Sequence, residues 1–175
     1  MELPAELRAW IGRESEPVET PGAIEWSDVR RYMNATGDCN PLWGAADFAD
    51  NAGRVGTLAP PAMILDVVRP APSHDSVDES GERAFPSLAG LAGTITVTRE
   101  VARLNAGTDI EWMRPIRIGD RLTVRFKILD ITARGTAEGP AVFITEERTY
   151  VDQDGELVAV SRQVTARTLA SSDPP

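Results

Sequence analysis

The residues with chemical promise lie in one stretch, Gly37-Asp38-Cys39-Asn40-Pro41-Leu42-Trp43, with Leu58-Ala59-Pro60-Pro61 following further on. Asp38 stands just after a helical stretch and five positions before Trp43. An aspartate and a histidine at that spacing can share one water molecule and move its proton. Here a tryptophan occupies the second position. Imidazole titrates near working pH and suits such a transfer, whereas indole is only a donor. The loop therefore keeps an acid and lacks the base. Asp38 is a candidate catalytic acid, or else a turn residue whose carboxylate caps backbone N–H groups near Asn40. Asn40 orients a water or holds the same turn. Trp43 lines a pocket, or packs against Phe48 and the apolar segment that follows Pro61.

Other positions carry weaker signals. Pro60 and Pro61 open an apolar segment, and N–H groups at a helix start can hold an oxygen on which negative charge develops. Pro61 has no N–H, so Ala62 and Met63 are the candidate donors. Cys39 is the sole cysteine and, with no histidine near it, is expected to be a small buried residue. His74 is the sole histidine and sits in a polar stretch expected to be solvated. Arg114 and Arg117 flank Pro115; they read as a solvated strand-end pair, with an anion contact as the sharper alternative.

The elements that must position these groups follow from the patterning. Pro4, the Leu7/Trp10 spacing and Gly12 predict a short helix over 4–12. Residues 14–20 are expected to be extended. Ser27 as N-cap, with Val29, Tyr32 and Met33 at helical spacing and Gly37 as stop, predicts a helix that delivers Asp38 into a loop. Residues 45–52 suggest another short helix. Residues 62–68 are apolar on every side apart from Asp66, which predicts a buried helix. Residues 71–86 read as a surface loop or flap. From residue 93 the period changes to two, at Thr94–Thr98, Thr108–Trp112, Leu122–Ile128, Val142–Glu147 and Leu157–Val164, which predicts antiparallel strands. Arg117–Asp120 is a tight turn and Asp152–Glu156 a hairpin. Helices followed by strands indicate an α+β domain, with the sheet curled around the apolar helix.

The chain has 175 residues, which suits one domain, here 1–170 with a disordered tail over 171–175. The formal net charge of −9, unbroken by any basic block, argues against nucleic-acid binding. One cysteine and one histidine exclude an internal disulfide and argue against a metal site. No secretory signal or membrane-length apolar run is present, so a soluble, cytoplasmic protein is expected.

Four segments carry a family resemblance: Tyr32–Trp43, Leu58-Ala-Pro-Pro61, Asn105–Asp120 and the terminal hairpin through Gly155. Together they resemble the N-terminal, FAS1-like type of the MaoC-like dehydratases, which have the hot-dog fold. The resemblance implies a curved antiparallel sheet around a central helix, paired with a second hot-dog. It implies an acyl-CoA or acyl-carrier-protein thioester as substrate, no cofactor, and reversible addition of water to a 2-enoyl thioester. The family's Asp falls on Asp38 and its His on Trp43. Subunits of this type often lack the His and pair with a hot-dog that supplies it. The expected role is thus a subunit of a (3R)-hydroxyacyl-thioester dehydratase or enoyl-CoA hydratase, with Asn40, Trp43, Ala62 and Met63 toward the substrate. The alternatives are a homodimeric thioester-binding protein without hydratase activity, or a repurposed enzyme of specialised metabolism. Val142, Ile144, Val158 and Val160 are too many for one helix to cover. That predicts a stable dimer, heteromeric (a heterodimer or heterotetramer) with the native partner and homomeric alone, burying at least about 1,000 Å².

Overall fold

The structure, a computed structural model, describes residues 2–44, 58–65, 90–137 and 139–170. Helices come first: α1 (Ala5–Arg8), then the short strand β1 (Val18–Glu19), α2 (Trp26–Thr36) and α3 (Pro41–Gly44). A 3-10 turn over Pro61–Leu65 and α4 (Gly90–Gly93) lead into four long strands, β2 (Glu100–Trp112), β3 (Thr123–Thr136), β4 (Gly139–Val151) and β5 (Leu157–Leu169). With β1 they form one five-stranded antiparallel sheet in the order β1-β3-β4-β5-β2. The α+β order expected from the sequence is the one observed.

Alternation decides which face of the sheet is covered. Along β4, Val142, Ile144, Glu146, Arg148 and Tyr150 all point to one buried face. Two apolar clusters pack there. One joins Val29 of α2 and Met63 and Ile64 of the 3-10 turn to Val124, Tyr150 and Val158. The other joins Leu7 of α1 and Ala92 of α4 to Ile128, Ile131, Val142 and Ile144. Burying such side chains contributes about 1.5–3 kcal/mol each, which fixes the register, because a one-residue slip would turn them to water. Register shifts within β2 and β3 mark bulges that bend the strands.

Several expectations need correction. The helix-start signal at Ser27 is displaced: the N-cap is Glu25, whose backbone N–H bonds Asp28 Oδ2 at 2.9 Å in a reciprocal capping box. Thr94–Thr98 is not a strand. Its apolar positions, Ile95 and Val97, are buried in the second cluster without a ladder of their own. Conversely β2 begins at Glu100, well before the alternating part at Thr108. Of the central apolar helix, only Pro61–Leu65 is described; it is a 3-10 turn with Ala62 exposed. The rest of that segment, the 45–52 helix with Phe48, the 71–86 loop with His74 and the 171–175 tail lie outside the described residues. Val142, Ile144 and Val158 are already buried within the chain. The most exposed large apolar side chains among the described residues are Val101 and Leu104 on β2.

Candidate functional site

The loop after α2 is built by local chemistry. Gly37 ends α2 in the left-handed conformation (φ 69°), which a side chain would disfavour. The Asp38 N–H then returns to the Met33 carbonyl at 3.1 Å, so Asp38 leaves the helix axis at once. Asp38 Oδ1 accepts the Asn40 N–H at 3.0 Å, and Asn40 Oδ1 accepts the Leu42 N–H at 3.0 Å. Asn40 is thereby the cap of α3, whose first residue, Pro41, has no N–H to leave unpaired. This single helical turn carries the Trp43 ring back over the loop. Its indole Nε1–H donates to Asp38 Oδ2 at 2.9 Å.

Each oxygen of Asp38 therefore already accepts a protein N–H. Trp43 contributes only a donor to this carboxylate. Asp38 acts in the loop as a turn and hydrogen-bond anchor. Asn40 caps α3 and aims its carbonyl oxygen at that cap. Cys39 is exposed rather than buried as expected, with Sγ 3.7 Å from the Gly37 carbonyl.

A cavity of about 250 Å³ opens beside this loop. Trp43, Leu58, Pro61, Trp112, Met113 and Pro115 line it, so its walls are apolar and aromatic, with Arg114 at one side. Trp43 thus both packs on the core and forms a pocket wall, while Asp38 and Asn40 do not line the cavity. Of the two candidate oxyanion donors, Met63 is buried and its N–H is bound to the Pro60 carbonyl at 3.0 Å. Only Ala62 keeps an exposed position at the turn.

Arg114 is not the solvated residue expected. Its guanidinium donates to Asp120 at 2.8 Å and to Asp152 at 2.6 Å, and it is nearly buried. Asp120 also accepts the Arg117 N–H at 2.9 Å. The network ties the turn before β3 to the β4–β5 hairpin and braces the pocket wall. Burial works against the Asp152 charge, but the Arg114 hydrogen bond and the N–H groups of Glu156 and Asp154 outweigh it and hold the carboxyl below its ordinary range. Arg114 is correspondingly raised: burial opposes its charge, and Asp120 and Asp152 overcome that. Arg117 remains exposed.

Sequence reasoning also missed a second polar cluster inside the sheet. Glu146 on β4 accepts the Ala92 N–H and bonds Arg148 Nε at 3.0 Å. Arg167 on β5, fully buried, donates to the Ala92 and Ile95 carbonyls and to Glu100 at 3.1 Å. Both groups pin α4 and the segment after it to the sheet. Burial raises the Glu146 carboxyl above its ordinary value, against the pull of the Ala92 N–H and Arg148. The signal was present in the strands: Glu146 and Arg148 fall on the same alternation as Val142 and Ile144. No group of three or more His, Cys, Asp or Glu side chains able to hold a metal occurs among the described residues. No helix among them is long and apolar enough to cross a membrane.

This sheet and its covering segments place the chain in the hot-dog class. It is similar to a conserved hypothetical protein of Mycobacterium tuberculosis described as having a double hot-dog fold (TM-score 0.59, 17% identity, covering 98% of this chain and 46% of that one). The family model for the FAS1-like dehydratase domain region matches residues 9–161, and the chain belongs to that family. It is 30% identical over 166 residues to a probable enoyl-CoA hydratase alpha subunit of Thermomonospora curvata, covering 89% of this chain and 49% of the relative. The chain thus spans about half the length of that relative. The structure is also similar to a chain of the ChsH1–ChsH2 complex of Mycobacterium tuberculosis, with a TM-score of 0.72 at 21% identity over 97% of this chain and 92% of that one.

Proposed function

We propose that this chain is the non-hydrating subunit of a heteromeric (3R)-hydroxyacyl-thioester dehydratase or enoyl-CoA hydratase. It shapes part of the acyl pocket, and a second hot-dog supplies the Asp/His pair. One observation carries the reading: the Trp43 indole N–H is bound to Asp38 where a base would be needed. Adding water across a 2-enoyl thioester requires a group that accepts the water's proton and returns one to the α-carbon. An indole cannot accept that proton. The carboxylate beside it is held by two N–H donors.

The cavity of about 250 Å³ beside the loop has apolar and aromatic walls that fit an acyl chain. Such a chain lies against the Trp43 and Trp112 rings. Neither Ala62 nor Met63 lines this cavity, so no oxyanion donor is assigned there. The reaction proposed needs acyl-CoA or an acyl carrier protein as substrate carrier and no further cofactor.

Turnover of a 2-enoyl-CoA by the purified chain tests this. A general base contributes about 10²–10⁴-fold, so the isolated chain is expected to fall at least that far below the complex with its partner. Robust hydration by the chain alone would overturn the division of labour and favour a repurposed enzyme.

A further inference from the structure

The outer face of the sheet carries a row of alternating charge. Cross-strand partners share a face, so the register gives the order directly. Glu14 bonds Lys127 at 2.8 Å, Lys127 on β3 stands opposite Glu147 on β4, and Glu147 bonds Arg162 on β5 at 2.9 Å. Arg162 in turn stands opposite Asp109 on β2. The row thus runs minus, plus, minus, plus, minus and ends on a carboxylate at the sheet's edge. Two residues further along the same face of β2 lies Glu111, opposite the uncharged Val160. Both side chains are exposed, and neither makes an ion pair among the described residues.

β2 pairs with β5 on one side only, and among the described residues nothing pairs with its other side. It is a 13-residue edge with Val101 and Leu104 exposed, which invites a further strand. The question is whose strand. In antiparallel pairing, outward side chains of one strand meet outward side chains of the other. Following the register through the bulge at Asn105/Gly107, the outward residues of β2 are Ala102, Leu104, Gly107, Asp109 and Glu111. None is a cation. A second copy of this edge therefore brings no counter-charge in any register, and where its 109–111 stretch faces its own kind carboxylate meets carboxylate.

We propose that the free edge of β2 takes a strand from a chain of different sequence, one that sets a lysine or arginine on the outer face opposite Asp109 or Glu111, and that these two carboxylates oppose pairing with a second copy. The inference rests on the proposed heteromeric reading and names what selects the partner there. It also revises the homodimer expected of the isolated chain, which the edge charges weaken.

A charge-reversed copy of the full chain serves as the probe. D109K/E111K and a mass-tagged wild-type chain are purified separately and mixed, and their dimers are followed by native mass spectrometry and sedimentation. Both positions are exposed, and thermal melts confirm that each chain is folded. At low ionic strength the mixed dimer is expected to be at least about tenfold tighter than either homodimer, and high salt should erase most of that difference. The neutral variant D109N/E111Q should form a tighter homodimer than the wild type. A wild-type homodimer as tight as the mixed one at low salt, or a neutral variant that behaves like the wild type, would overturn the proposal. The readout is association alone, so it stands or falls independently of whether the chain hydrates a thioester.

Discussion

At the scale of single residues, Trp43 does more than fill a pocket wall. Its indole N–H donates to Asp38 and so fixes the turn that follows α2. Trp43→Phe removes the donor together with the pyrrole part of the ring. A half-buried carboxylate that loses such a partner costs about 1–3 kcal/mol, so the melting temperature is expected to drop by several degrees while hydration by the isolated chain stays negligible. An unchanged melting temperature would show that the bond contributes nothing to the fold. Much of this loop was readable from the sequence, because its chemistry is local. Gly37 as helix stop and Asp38 capping toward Asn40 both act within a few residues, whereas the helical turn starting at Pro41 was not foreseen. The Trp43–Asp38 bond was not foreseen, although the spacing and the donor-only character of indole were both in view. Nothing in the sequence shows that one turn of α3 folds the ring back. Cys39 was misplaced for a related reason: exposure depends on which side of the turn faces water.

At the scale of elements, long-range polar pairs hold what periodicity alone cannot. Arg114 and Asp152 are far apart in sequence, and only the meeting of a turn with a hairpin joins them. Strand patterning located both ends but not their contact. Thr94–Thr98 misled in the opposite way, since its alternation is satisfied by burial of Ile95 and Val97 and not by a ladder. Glu146 gives this scale its test. Its folded-state carboxyl is raised above the ordinary value of 4.5, so the folded protein holds that proton more tightly than the unfolded chain does. Stability from this group is then fully present below pH 4.5 and is lost as pH rises through the raised value. Glu146→Gln cannot titrate. Denaturant melts across a pH series should show the wild type losing stability relative to this variant as pH rises above 4.5. Parallel curves for the two proteins would mean that burial of Glu146 does not govern its titration.

At the scale of the whole molecule, the sheet is protected unevenly. β4 lies at its centre, paired on both sides by β3 and β5, with Ile144 and Tyr150 sealed beneath. β2 has the same length and, among the described residues, only one neighbour. Amides on its far side have no strand to bond, and protection from hydrogen exchange follows local opening and solvent access. In the isolated chain, amides of β4 are expected to exchange at rates set by global unfolding. The β2 amides that point away from β5 should exchange orders of magnitude faster. Addition of a partner that pairs with this edge should slow the second set and leave the first nearly unchanged, because only the first is already fully bonded. Strong protection along both sides of β2 in a chain shown to be monomeric would mean that some other part of the same chain covers the edge, and that the surface assigned to a partner is internal.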